Sequence, residues 1–507
     1  MIAWLLLAAA ATAGAEPPVA TSPGPRSVAV TVYRAPGRGV DEAMSLAWLN
    51  GFALVTETRR VSIPAGESDI RFEGVAGGIL PESAIVSGFP AGVVEKNQDA
   101  WLLSPASLLD ASLGRRVHLR RTSLATGAVR ETEAVVRSGA DGAVVLETPG
   151  GIEALRCDGL RATLRYDRVP AGLSAKPTLS VRVRSPRAAK ATVTLSYLAS
   201  GFDWQANYVA ELSPDGARMD LFAWLTLANG DETGFRQADT QAVAGRINRS
   251  SASPRRPQAP PLVLRCWPSG TTTSDLEEQV FEREEIEVSG SRVMNHMPLM
   301  MEMPAPPPPP PPAMMAQQEE LGDLKLYRIP ERVTVAARSQ KQVALLDRDG
   351  VKVETLYRVD AYAPNPGGLR VTRVLRTANT PAAGLGLPLP AGRLVLFGTG
   401  RARPILLGQG FVGDKAVGED LEIPVGAASS VVAQAVRLFP GSGEGGDWEL
   451  NVSNAQPTPV RFEALLAEGS MKLISETELG RRDGRPLWAV TIPANGRATL
   501  RYRFGGS

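Results

Sequence analysis

The chain has 507 residues, 43% of them hydrophobic, which is too long for one core and enough for three or four globular domains. Its 55 Lys and Arg against 53 Asp and Glu leave a net charge of +2, so no bulk field recruits nucleic acid or an anionic membrane. With 50 Gly and 41 Pro, the composition favours short strands and turns over long helices, and an all-β, multi-domain protein is expected.

Residues 1–15, MIAWLLLAAAATAGA, form a short apolar run ending in Ala13-Gly14-Ala15, the small-x-small pattern that a signal peptidase accepts. Export to the periplasm or outer cell envelope is the expectation. No later stretch approaches the roughly 20 apolar residues needed to cross a bilayer as a helix, so no transmembrane span is expected in the mature chain. The cysteines, Cys157 and Cys266, are the only two, and in an oxidising compartment they read as a candidate disulfide.

Residues 16–100 read as an N-terminal β-domain. Ser27 to Tyr33 alternates as a strand, and Phe52 to Ile63 makes a longer one that turns at Pro64-Ala65-Gly66 into Asp69 to Phe72. Residues 101–170 change texture to short runs between Gly-containing turns, which suits a small barrel-like domain. Arg115, Arg116, His118, Arg120 and Arg121 fall there and invite a polyanion, but Val117 and Leu119 take one face while Arg116, His118 and Arg120 take the other, so a solvated face is the plainer account.

Residues 171–248 hold the clearest pattern, a β-meander. Val193, Leu195 and Tyr197 alternate with polar neighbours, as do Trp204, Ala206, Tyr208, Ala210 and Leu212. Pro214-Asp215-Gly216 supplies a fixed φ, a side-chain acceptor and a φ > 0 position to reverse the chain into the next strand. The aromatics Trp204, Tyr208 and Trp224 gather here, and alternation puts Trp204 and Tyr208 on one face of one strand, at spacing typical of core.

Residues 249–318 lose hydrophobic periodicity and read as a disordered acidic, Met- and Pro-rich insertion with an unbroken run from Pro306 to Pro312. Glu285-Ile286-Glu287-Val288-Ser289-Gly290 resembles a TonB box, a strand-former that docks on a sheet edge, so TonB is a candidate partner. Met294, Met297, Met300, Met301 and Met303 surround His296, and thioethers beside an imidazole suit Cu(I) or absorb oxidants. Strand pattern resumes over residues 319–429 as a continued central β-domain. Residues 430–507 suit a C-terminal immunoglobulin-like sandwich without its cysteines.

Easy routes to catalysis are missing. With 2 histidines in the chain, neither has a catalytic setting, and no G-x-S-x-G, H-E-x-x-H or Walker-type P-loop occurs. A carboxylate pair such as Asp239 with Glu232 is the kind of group an envelope-polymer hydrolase would use. No cofactor is implied.

Four separated motifs, LNGFALVTETRRVSIPAG, SYLASGFDWQANYVAEL with DLFAWLTLAN, LGDLKLYRIPERVTVAARSQKQVALL and ELNVSNAQPTPVRFE, together resemble the exported bacterial proteins of domain of unknown function family 4139, related to the mucoidy-inhibitor-like proteins. Gly201-Phe202-Asp203-Trp204 and Lys325-Leu326-Tyr327-Arg328-Ile329-Pro330 are the most telling segments. The resemblance covers most of the mature chain but lacks the long coiled-coil insertion of the mucoidy-inhibitor-like pattern. It implies an envelope location and a β-rich fold, and brings no catalytic residues. The expectation is therefore a non-enzymatic binding or scaffolding protein of the cell envelope, contacting an envelope protein or a glycan. A TonB-linked accessory, a Cu(I) or oxidant buffer and an envelope-polymer hydrolase are the alternatives.

Overall fold

A computed structural model describes residues 17–39, 42–90, 92–99, 102–123, 126–139, 144–155, 161–170, 173–245, 262, 315–321, 324–361, 367–399, 403–440, 446–466 and 472–505. Their regular structure is nearly all strand, with one α-helix of 6 residues, Pro105–Asp110, capped by the Ser104 and Ser107 hydroxyls, and two 3-10 turns. No helix among the described residues is long and apolar enough to cross a membrane.

The chain divides into two compact units, one built from Met1–Lys96, Val181–Arg255 and Met314–Ser507, the other from Asn97–Ser180 and Arg256–Ala313. Two of the strands expected in a separate N-terminal domain instead join the meander in the first unit, while Gly66–Glu73 pairs with Val19–Ser22 and Thr178–Ser185 in a sheet of four strands. Gly51–Ile63 pairs antiparallel with Ala189–Leu212, and Ser27–Tyr33 lies parallel to Phe235–Ala244. The resulting 12-stranded sheet runs, in order, through Gln317–Leu321, Leu324–Arg328, Phe235–Ala244, Ser27–Tyr33, Gly51–Ile63, Ala189–Leu212, Arg218–Asn229 and Ser339–Lys352, with shorter strands off this path.

Ala189–Leu212 is a single strand of 24 residues, where the sequence pattern shows two separate runs. The register shifts by one residue between Ser200 and Phe202, with Gly201 at φ 85°. That β-bulge moves the inward set from Val193, Leu195, Tyr197 and Ala199 to Phe202, Trp204, Ala206, Tyr208 and Ala210, all of them buried. The hairpin at its end closes as the residue types require: Gly216 sits at φ 70°, and the Asp215 carboxylate accepts from the Ser213 hydroxyl and the Ala217 amide.

The C-terminal sandwich does not begin near Ser430. A six-stranded sheet and a five-stranded sheet share one core containing Val359, Trp448, Leu450, Phe462 and Leu500. Glu354–Ala361 lies parallel to Val460–Leu466 within it, so strands from the expected central domain are indispensable to this core.

In the second unit, five strands pair in the order Gly151–Ala154, Val145–Thr148, Val129–Val136, Arg116–Thr122, Arg161–Arg165. A small barrel was expected here, but among the described residues the sheet is open. Closure would need its two outer strands to pair; instead Leu109 of the short helix joins Val117, Leu119, Val136 and Leu146 in the core.

Candidate functional site

The 12-stranded sheet has an opening along Ala189–Leu212. One side of this strand is lined first by Gly51–Ile63, which ends where Gly51 faces Phe202, and then by Gly392–Thr399, which starts where Gly392 faces Ala206. Asp203, Trp204 and Gln205 lie between the two and, among the described residues, have no neighbouring strand on that side, while Arg218–Asn229 pairs with them on the other. Glycine is required at both lips: a Cβ on Gly51 would strike the Phe202 carbonyl oxygen, and one on Gly392 the Ala206 carbonyl oxygen. Gly392→Ala is expected to destabilise the chain by about 1 to 3 kcal/mol through this overpacking, read as a lowered thermal midpoint with native circular dichroism.

The chain leaving Ser27–Tyr33 fills part of the opening with its own polar groups. Asp203, its side chain 2% exposed, accepts from the Ala35 amide (2.9 Å), the Trp204 amide (2.8 Å) and Arg38 Nε (2.7 Å). Arg38 Nη2 donates to the Trp204 carbonyl at 2.8 Å and Nη1 to Gln205 Oε1 at 3.2 Å. The guanidinium thus does at Trp204 what a strand amide does elsewhere in the ladder. Arg34 lies over the Trp204 ring at 4.9 Å, donates to both Asp414 carboxylate oxygens (3.1 and 3.0 Å) and reaches the Ala391 carbonyl at 3.3 Å.

Beneath the opening the aromatics are anchored by hydrogen bonds. Trp204 Nε1 donates to the Val243 carbonyl (2.9 Å), the Tyr208 hydroxyl to the Pro390 carbonyl (2.6 Å) and the Tyr327 hydroxyl to the Pro388 carbonyl (3.4 Å). Burial pushes both phenols above their ordinary range, so they remain protonated donors. The Tyr33 ring stacks on Phe52 at 4.7 Å. What remains is a pocket of 310 Å³ lined by Tyr33, Arg34, Pro36, Arg38, Phe52, Ala391 and Asp414 among others. Its charged groups are Arg34, Arg38 and Asp414, with each arginine already opposite a carboxylate, and this arrangement suits bidentate polar recognition of a ligand beside an aromatic wall.

Trp204 and Tyr208 are core, as their spacing implies, at 0% and 1% exposed, whereas Trp224 lies half-buried on the other face of its strand, packed edge-on against Phe222. Asp239 and Glu232 are both solvent-exposed. Acids stand beside most of the basic groups of Arg116–Thr122: Arg116 pairs with Glu133 and His118 with Asp167 and Glu131 on one face, and Arg121 with Glu153 on the other. This is the pattern of a solvated face rather than a polyanion site. Gly408-Gln409-Gly410-Phe411-Val412-Gly413 has the spacing of a dinucleotide loop, but its first two glycines lie inside the strand Pro404–Val412, where a Cβ would meet the Val425 and Pro424 carbonyls. The candidate docking residues Glu285, Ile286, Glu287, Val288, Ser289 and Gly290, the candidate ligands Met294, His296, Met297, Met300, Met301 and Met303, and the pair Cys157 and Cys266 lie outside the described residues. Among the described residues, no group of His, Cys, Asp and Glu has the clustering of a metal site.

Arg34, Arg38 and Asp414 carry no sequence signal of their own. Their partners are distant in the chain, and only the strand pairing brings them together. Asp203 and Trp204, by contrast, stand in one of the two segments most telling for the family resemblance, and Tyr327 stands in the other; the Trp204 and Tyr327 rings meet at 5.6 Å. Comparison with protein-family models and with curated proteins found no match to this chain.

Proposed function

We propose that this chain is an exported β-protein of the cell envelope that works by binding, and that the opening at Asp203–Gln205 is its ligand site. The observation that carries this is the interrupted ladder: among the described residues, three consecutive strand residues lie without a neighbouring strand on one side, and the Arg38 side chain reaches into the gap. The resemblance to domain of unknown function family 4139 supports the same place, because its two most telling segments meet beneath the pocket at Trp204 and Tyr327. The ligand is an envelope glycan or an extended segment of an envelope protein. Binding rather than turnover fits the chemistry of the site, since Arg38 and Asp203 are held against one another in an ion pair at 2.7 Å.

A photo-crosslinking residue in place of Pro36, exposed at the pocket rim, is expected to give a discrete adduct in intact cells, with none from Val432 on the distant sandwich. Equal labelling at both positions, or none at Pro36, would remove the pocket from consideration. Cleavage of envelope glycans or peptides by the purified chain, lost in an Arg38→Ala variant of native fold, would replace binding with hydrolysis.

A further inference from the structure

The two arginines of the pocket differ in what holds them. Arg38 is bound to Asp203, a carboxylate with almost no access to solvent that is itself held by two backbone amides. Arg34 is bound to Asp414, whose side chain is 58% exposed and follows Gly413 just beyond the strand Pro404–Val412. The Arg34 guanidinium itself is largely enclosed over Trp204, and its Nε is buried without a hydrogen-bond partner among the described residues. The Ala391 amide donates to the same Asp414 carboxylate at 2.7 Å. Arg34 Nη1 and the Ala391 N–H therefore form a cradle for a planar two-oxygen group, filled from the solvent side by the chain's own carboxylate.

We infer that the pocket takes a carboxylate-bearing sugar, whose carboxylate replaces Asp414 on Arg34 and Ala391 while its ring lies against Tyr33. This rests on the pocket being the ligand site and adds the ligand's chemistry. Exchanging one carboxylate for another leaves no guanidinium unpaired, and the displaced Asp414 side chain moves into water, where a carboxylate is well solvated. A neutral sugar gains no charge-assisted bond here and leaves Asp414 in place. The Tyr33 ring, backed by Phe52, supplies the flat apolar face on which the C–H side of a pyranose packs. A peptide C-terminus would satisfy the cradle but would make no use of that face.

The test is calorimetric titration of the full chain with D-glucuronate, D-glucose and N-acetylalanine. Glucuronate is expected to bind the wild type at least about tenfold more tightly than either of the others, which lack one of the two contacts. Asp414→Asn removes the internal competitor's charge and is expected to tighten glucuronate by about tenfold, whereas Arg34→Gln abolishes the preference. The wild-type comparison stands on its own should either variant fail to fold. Glucose binding as tightly as glucuronate overturns the carboxylate while leaving the pocket as a ligand site, and N-acetylalanine binding as tightly overturns the sugar. No binding of any probe to either wild type or Asp414→Asn, with the Pro36 crosslink intact, overturns the inference alone; loss of the crosslink as well removes the site.

Discussion

Replacing Arg59 with methionine is expected to cost about 3 to 5 kcal/mol, a large part of the stability of an ordinary domain, because it strands a buried carboxylate. Arg59 and Glu57 are both 0% exposed and lie on the inward face of Gly51–Ile63, beside Val55 and Val61. Arg59 Nε donates to Glu57 Oε2 at 2.6 Å, and its Nη1 donates to the Ser22 and Glu73 carbonyls at 3.0 and 2.8 Å. The Tyr197 hydroxyl donates to Glu57 Oε1 at 2.8 Å and accepts from the Ala76 amide. Burial pushes the Glu57 carboxyl up, while Arg59 and Tyr197 pull it back towards the charged form. Removing Arg59 deprives Glu57 of that support and leaves two carbonyls without their donor. The double variant Glu57→Leu/Arg59→Met removes both charges and is expected to fall closer to the wild type than either single variant does. Urea midpoints of the four proteins decide this: additive losses from the two single changes would show that the pair acts as two independent side chains.

This pair also marks how far the sequence could be read. The alternation of Phe52 to Ile63 gives a strand correctly, yet it places Glu57 and Arg59 on the same face as two valines without indicating that this face is core. Inward charge becomes intelligible only when Tyr197, Ser22 and Glu73 are brought to it by pairing. In the meander, period and turn chemistry gave the strands, the buried set and the hairpin, because those signals are local. The one-residue bulge at Gly201 was legible only as a change of phase between two runs. The parallel pairing of Ser27–Tyr33 with Phe235–Ala244 has no local signature, and the opening beside Asp203 depends on where two other strands end. The candidate site was therefore half visible: Asp203 and Trp204 lay in a segment that stood out, whereas Arg34, Arg38 and Asp414 reach it through topology alone.

The outer face of the C-terminal sandwich concentrates charge in the same way, and Glu463→Ala is expected to cost about 3 to 5 kcal/mol by leaving three enclosed guanidiniums with one carboxylate, that of Glu422, between them. Glu463 is 1% exposed on Val460–Leu466, between the core residues Phe462 and Ala464 in sequence but on the opposite face. Arg358 Nη2 and Arg376 Nη2 each lie 2.7 Å from its Oε2, with Arg482 at 3.6 Å. Glu422 takes the remaining donors, from Arg358 at 2.6 and 2.9 Å, Arg376 at 2.7 Å and Arg482 at 2.6 Å. Burial alone would raise both carboxyls, but the hydrogen bonds and charges of Arg358 and Arg376 outweigh it, lowering Glu463 and holding Glu422 at about 2. A depressed carboxyl binds protons more readily in the unfolded chain, so its stabilisation is complete above its ordinary value of 4.5 and drains away as pH falls towards 2. The thermal midpoint of the wild type should therefore decline through that window, whereas Glu422→Gln should start lower at neutral pH and decline less steeply. Parallel curves for the two proteins would place the acid sensitivity elsewhere. Their convergence at low pH would assign it to three guanidiniums losing the carboxylates that justify their burial.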